Sequence, residues 1–154
     1  MLEKLVPNFE LESTGDKQFD LSSNAGKCLV VYFYPKDDTP GCTTEGQDFR
    51  DNYEEFVKNN CDIVGVSRDS IKSHERFKVK MSFPFELLSD TDEVVCELFG
   101  VMKMKNMYGK QVRGIERSTF VIDEKGVLIR EWRGVKVPGH VAEVLAFVKS
   151  QKKQ

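Results

Sequence analysis

The sequence predicts an α/β fold built on a central mixed sheet, and three observations carry that prediction. The run Cys28-Leu29-Val30-Val31-Tyr32-Phe33-Tyr34 is continuously apolar and rich in β-branched and aromatic residues. That is the pattern of a central strand buried on both faces. After a short loop, Phe49, Tyr53, Phe56 and Val57 recur at i, i+4, i+7 and i+8, the stripe of an amphipathic helix. Ile63-Val64-Gly65-Val66 then supplies a second buried strand. Strand, helix and strand make a β-α-β unit, whose right-handed crossover leaves the two strands parallel.

The remaining elements extend this unit on both sides. Phe9-Glu10-Leu11 and Phe19-Asp20-Leu21 flank Ser13-Thr14-Gly15-Asp16, the turn chemistry of an N-terminal hairpin. The crossover helix is capped at Thr39-Pro40, its body runs from about 43 to 59, and Asn59-Asn60 end it. Asp69 and Ser70 cap a helix reaching Met81, with Ile71, His74 and Phe77 inward. Phe85-Glu86-Leu87-Leu88 reads as a short strand or extended connector. Asp90-Thr91-Asp92 opens a helix that Gly100 closes. Residues 101–116 read as an irregular basic loop whose lysines and arginine form a solvated face. Ser118–Asp123 and Val127–Trp132 flank Glu124-Lys125-Gly126 as an antiparallel hairpin. A last helix over 139–151 turns Val141, Val144, Leu145 and Val148 inward. A β-α-β core followed by a β-β-α end is the thioredoxin-like arrangement.

With 154 residues, 40% hydrophobic and 31% charged, the chain is expected to form one ordinary soluble domain over 1–154. A net charge of −2 argues against nucleic-acid or anionic-membrane partners. No apolar run has the length of a membrane span, and the first residues lack the apolar core of a signal peptide. The expected setting is therefore the cytoplasm, and the expected state a monomer.

Four cysteines stand at 28, 42, 61 and 96, without a C-x-x-C pair. That spacing offers no zinc site, and a reducing compartment argues against a disulfide scaffold. Cys28 and Cys61 open buried strands, and Cys96 lies in the helical pattern Val95-Cys96-Leu98-Phe99; all three read as core. Cys42 differs. Its neighbours are Gly41, Thr43, Thr44 and Glu45, and the Thr39-Pro40 start puts it in the first helical turn. Free N–H groups and the positive end of the helix dipole there favour a thiolate.

A lone activated thiolate fits some chemistries better than others. A cysteine phosphatase needs an arginine six residues on, where Asp48 stands. A cysteine hydrolase needs a base, and neither His74 nor His140 lies in a segment directed at the loop. A dithiol oxidoreductase needs a second cysteine where Glu45 stands. Peroxide reduction asks less: an activated sulfur, hydrogen-bond donors for both oxygens, and positive charge to offset the developing negative charge.

The motif Pro35-x-x-x-Thr39-x-x-Cys42 resembles the active-site signature of the peroxiredoxins. The segment from Phe33 to Glu45 is similar to the branch called bacterioferritin comigratory protein, or peroxiredoxin Q. So are Met107-Tyr108-Gly109-Lys110 and the stretch from Gly114 to Asp123. The resemblance spans nearly the whole chain. It implies a thiol-dependent peroxidase that reduces hydrogen peroxide and organic hydroperoxides without metal, haem or flavin. Cys42 would pass through a sulfenic acid and be reduced by thioredoxin or a similar thiol. Arg117 would hold the thiolate and orient the peroxide, Thr39 would hydrogen-bond peroxide or sulfur, and Pro35 would shield the pocket. By residue type alone, Thr39 also reads as a helix cap, Arg117 as a surface charge and Glu45 as helix-start electrostatics. The resemblance departs at the resolving cysteine: Gln47 and Lys78 occupy the positions where many members carry one. The rival reading is a thioredoxin-like sensor or binding protein that oxidises once without turnover.

Overall fold

The structure, a computed structural model, describes residues 1–151. The predicted apolar run is strand β3 (Cys28–Phe33), buried at every residue. Successive side chains of a strand point to opposite faces. Val30, Tyr32 and Tyr34 accordingly join the core on one face, and Leu29, Val31 and Phe33 the core on the other. Strand β4 (Cys61–Ser67) pairs with β3 in parallel, as the β-α-β reading requires.

The other strands are β1 (Glu10–Ser13), β2 (Lys17–Asp20), β5 (Glu86–Ser89), β8 (Ser118–Ile122) and β9 (Leu128–Arg133). They complete a seven-stranded sheet in the order β2-β1-β5-β4-β3-β8-β9. β3, β4 and β5 are parallel and their outer partners antiparallel. Helices α1 (Pro40–Asp51), α2 (Tyr53–Lys58), α3 (Ile71–Met81) and α5 (His140–Gln151) pack Phe49, Phe56, Phe77 and Val144 into one core. Helix α4 (Val94–Leu98) covers the other face through Val95 and Cys96. This is the thioredoxin-like arrangement.

Three local readings change. The crossover helix is two helices. At Asn52 the amide Nδ2 donates to the Asp48 carbonyl at 2.8 Å, and the backbone leaves the helical region with φ −108° and ψ 4°. Short polar side chains that bond nearby carbonyls disturb helices in this way. Helix α4 starts later than Asp90-Thr91-Asp92, but Asp90 still serves its first turn by accepting from the Cys96 N–H at 2.7 Å. Residues 101–116 are not irregular: β6 (Met102–Met107) and β7 (Lys110–Ile115) form a separate hairpin. Its two-residue turn, Tyr108-Gly109, has φ of 53° and 79°, the doubly positive geometry of a type I′ turn. Both strands are largely exposed, so no buried stripe betrays them.

Candidate active site

The site forms where β3 gives way to α1. Pro35 sits half-buried at the exit of β3. Asp37 anchors the loop: its carboxylate accepts from Tyr34 Oη at 2.6 Å and Ser73 Oγ at 2.8 Å. His74 Nδ1 lies 2.7 Å from Asp37 Oδ2. The His74 Nε2 proton goes to the Leu88 carbonyl at 2.9 Å, since a carbonyl only accepts. The Asp37 N–H in turn donates to Asp69 at 2.9 Å. Asp37, Asp69 and His74 bring ligand-type atoms within 4.8 Å of one another, but these groups are committed to hydrogen bonds inside the protein. The cluster fixes the loop that carries Thr39 to α3 and β5, and nothing in the local sequence around Asp37 foretells it.

Thr39 is the N-cap by position, and its carbonyl accepts the first helical bond from the Thr43 N–H at 2.8 Å. Its hydroxyl does not cap. Oγ1 donates to the Lys36 carbonyl at 2.8 Å. The left-handed turn at Asp38, φ 59°, separates that carbonyl from Thr39. The hydroxyl lone pairs and the first-turn N–H groups of α1 are thereby left to other partners.

Cys42 is the third residue of α1 and 2% exposed. Arg117 reaches it from the segment between β7 and β8, with Nη2 at 3.3 Å from Sγ. The reach follows from register. β8 runs antiparallel to β3 with Ser118 opposite Phe33, so the residue just before β8 stands at the end of β3 from which the loop departs. Glu45 is i+3 from Cys42 and so on the same helix face. It is wholly buried, and Arg117 Nη1 donates to its Oε1 at 2.6 Å. The sequence reading of Glu45 as a helix-start charge therefore changes: it is the buried counter-ion of Arg117. Burial pushes its carboxyl up to about 7, against the pull of the Arg117 guanidinium. Among the described residues, Glu45 Oε2 has no hydrogen-bond partner. Burial also works against the charge on Arg117, but Glu45 and Cys42 more than offset it and hold that pKa above its usual value.

The β6–β7 hairpin brings Lys105 to this neighbourhood, where its ammonium donates to the Ile115 carbonyl. Burial, and after it the charge of Arg117, lower its pKa, while Cys42 acts in the opposite sense. Cys96 is elsewhere. It packs in the core on the other face of the sheet from Cys42, and burial, followed by its bond to Asp90, pushes its thiol well up. His140 bonds to Thr119 and His74 to Asp37 and Leu88, so neither histidine is directed at Cys42 as a hydrolase base.

A thioredoxin-like sheet that presents one thiol at a helix start, against an arginine paired with a buried carboxylate, defines a thiol-based oxidoreductase. Residues 2–131 match the AhpC/TSA family. Peroxiredoxin Bcp of Xanthomonas campestris is 55% identical over 156 residues, covering 100% of this chain and 98% of that protein. Peroxiredoxin Bcp of Bacillus subtilis is 51% identical, covering 94% of this chain and 92% of its own. The structure of the Xanthomonas campestris bacterioferritin comigratory protein superimposes with a TM-score of 0.89 at 53% identity, over 93% of this chain and 91% of that one. A cysteine-to-serine mutant of Xylella fastidiosa PrxQ superimposes with a TM-score of 0.94 at 43% identity, over 99% and 97%. The chain belongs to the AhpC/TSA family, within it to the peroxiredoxins of the Bcp or peroxiredoxin Q branch. It is a thiol-dependent peroxidase, with a peroxide as substrate and a thiol as reductant. Among the described residues no helix is long and apolar enough to cross a membrane.

Proposed function

We propose that Cys42 is the peroxidatic cysteine, acting on hydrogen peroxide and organic hydroperoxides with Arg117, Thr39 and Pro35 as its site residues. The observation that carries this reading is the 3.3 Å approach of Arg117 Nη2 to Cys42 Sγ in the first turn of α1. The Xanthomonas relative is described by its alkyl peroxide reduction activity, which supports organic hydroperoxides as substrates. The Cys42 thiolate attacks one peroxide oxygen, the O–O bond breaks, and the other oxygen leaves as hydroxide or alkoxide and takes up a proton. Sulfur is oxidised to S–OH as the peroxide is reduced. The guanidinium and the first-turn N–H groups face the charge that moves from sulfur to the oxygens. With its proton on the Lys36 carbonyl, the Thr39 hydroxyl can accept the hydrogen of a bound hydroperoxide. Pro35 closes the loop side against water.

The reductant we propose is an external thiol, thioredoxin or a comparable one, attacking Cys42 directly. Gln47 and Lys78 hold the places of a resolving cysteine, and Cys96 lies across the sheet. One domain spanning 1–154, three residues beyond those described, is proposed to act as a monomer in the cytoplasm, where thiols stay reduced. The test is NADPH-coupled turnover with thioredoxin and its reductase, alongside intact mass after stoichiometric peroxide. Continuous NADPH use with one oxygen added at Cys42 is expected. A single oxidation that then stops would favour the sensor reading instead.

A further inference from the structure

Two thiols that the peroxidase reading leaves unused lie against each other at the far end of the sheet. Cys28 opens β3, Cys61 opens β4, and the parallel register pairs them directly. Neighbouring strands run about 4.8 Å apart, inside the roughly 4.4–6.8 Å between α-carbons that a disulfide spans. Both side chains belong to the same core layer. Their sulfurs stand 2.7 Å apart, close to the ~2.05 Å of a disulfide bond. Bond formation asks chiefly for rotation of two side chains, since the register already sets the two residues side by side.

We infer that Cys28 and Cys61 form a second redox site, a dithiol that hydroperoxide oxidises to a disulfide independently of Cys42. The site is remote from the first. Five residue steps along β3, at ~3.3 Å each, separate Cys28 from Phe33 by about 16 Å, and Cys42 lies beyond the loop at that far end. The pair is therefore not the resolver of a Cys42 sulfenic acid. Access is graded: Cys28 is 9% exposed and Cys61 2%. Cys28 borders a surface cleft lined also by Asn59, Lys125, Ile129 and Val148. Cys28 is the sulfur a small oxidant meets first, and Cys61 is the buried partner behind it.

The chemistry balances with the peroxide that the enzyme's own activity involves. The Cys28 sulfur, losing its proton, attacks one peroxide oxygen; the O–O bond breaks, and alcohol or water leaves with that proton. The resulting Cys28 sulfenic acid is attacked by Cys61. The S–S bond forms, the S–O bond breaks, and the hydroxyl leaves as water with the Cys61 proton. Two thiols give up two electrons and two hydrogens, and one hydroperoxide is reduced. The product joins the two strands at the end of the β-α-β unit opposite the active loop. It encloses α1, α2 and Cys42 in one covalent ring without touching the site.

The test uses Cys42→Ser, which removes the peroxidatic thiol and makes the result independent of the reading of that residue. The reduced, desalted variant is treated with excess hydrogen peroxide. Its intact mass and a non-reducing peptide map are followed with time. The expected result is loss of two hydrogens, a Cys28 peptide linked to a Cys61 peptide, and recovery of the mass with dithiothreitol. Adding Cys28→Ser or Cys61→Ser should abolish the link. Unchanged mass, or oxygen added without the link, overturns the inference. Should Cys42→Ser fold poorly, Cys42→Ala serves in its place: a Cys28–Cys61 link in its map supports the inference, and no link under excess peroxide overturns it.

Discussion

The buried Glu45 should make the stability of this protein fall as pH rises through the acid-to-neutral range. Its carboxyl is pushed from 4.5 up to about 7, chiefly by burial. The folded state thus holds the Glu45 proton more tightly than the unfolded chain does. Below pH 4.5 the group is protonated in both states and costs nothing. Between about 4.5 and 7 the unfolded chain ionises first, so stability drops with pH, and above 7 the loss is complete. At ~1.36 kcal/mol per pKa unit, the span from 4.5 to about 7 amounts to about 3 kcal/mol. Glu45→Gln keeps the shape and removes the titration. The assay is denaturant unfolding of parent and variant from pH 4 to pH 8. The parent's stability relative to the variant should decline by about 3 kcal/mol across that window. For a chain of this size the melting midpoint should follow by roughly 6–12 °C. Parallel curves would refute the assignment of Glu45 as a buried carboxylate that gives up its proton late.

Four other outcomes follow from the same geometry. Arg117→Ala removes the donor at Cys42 and should slow single-turnover peroxide reduction by at least about tenfold, some 1.4 kcal/mol of barrier; because Glu45 also loses its partner, the double variant with Glu45→Gln should recover stability but not rate, and a recovered rate would show that the arginine is only structural. Thr39→Ser should remain largely active and Thr39→Val lose about 10²-fold or more, with equal rates in a peroxide titration counting against any role for the hydroxyl. A methyl group at Gly46 would press on the Phe83 ring, which is itself packed between Phe77 and Phe85. Gly46→Ala should therefore lower the melting midpoint, since overpacking costs about 1–3 kcal/mol against a helix-propensity gain of at most ~1 kcal/mol; a higher midpoint would contradict it. Cys96→Ser should keep thioredoxin-coupled turnover, and loss of turnover would identify Cys96 as a resolver that crosses the sheet.

What the sequence alone determined was local. A continuous apolar run, a proline–threonine–glycine loop and a helical stripe suffice to put β3, the loop and the first turn of α1 in order. Cys42 follows from that order, because hydrogen bonding and helix-start electrostatics act over one turn of chain. The hairpins at 8–21 and 118–132 were equally legible, being pairs of neighbouring segments. The β6–β7 hairpin escaped because most of its residues are exposed, so burial imposes no alternating pattern along them. Tertiary structure decided the rest. Arg117 meets Cys42, 75 positions away, because β8 pairs with β3 in one register, and that pairing is not written in either segment. The role of Glu45 depends on the same contact: its neighbours in sequence are those of an exposed first turn, and only packing against Arg117 turns it into a buried acid. Cys28 and Cys61 each looked like a small core residue. That their sulfurs touch, and that Cys96 lies on the opposite face, are facts of sheet order and strand parity, which only the folded chain can supply.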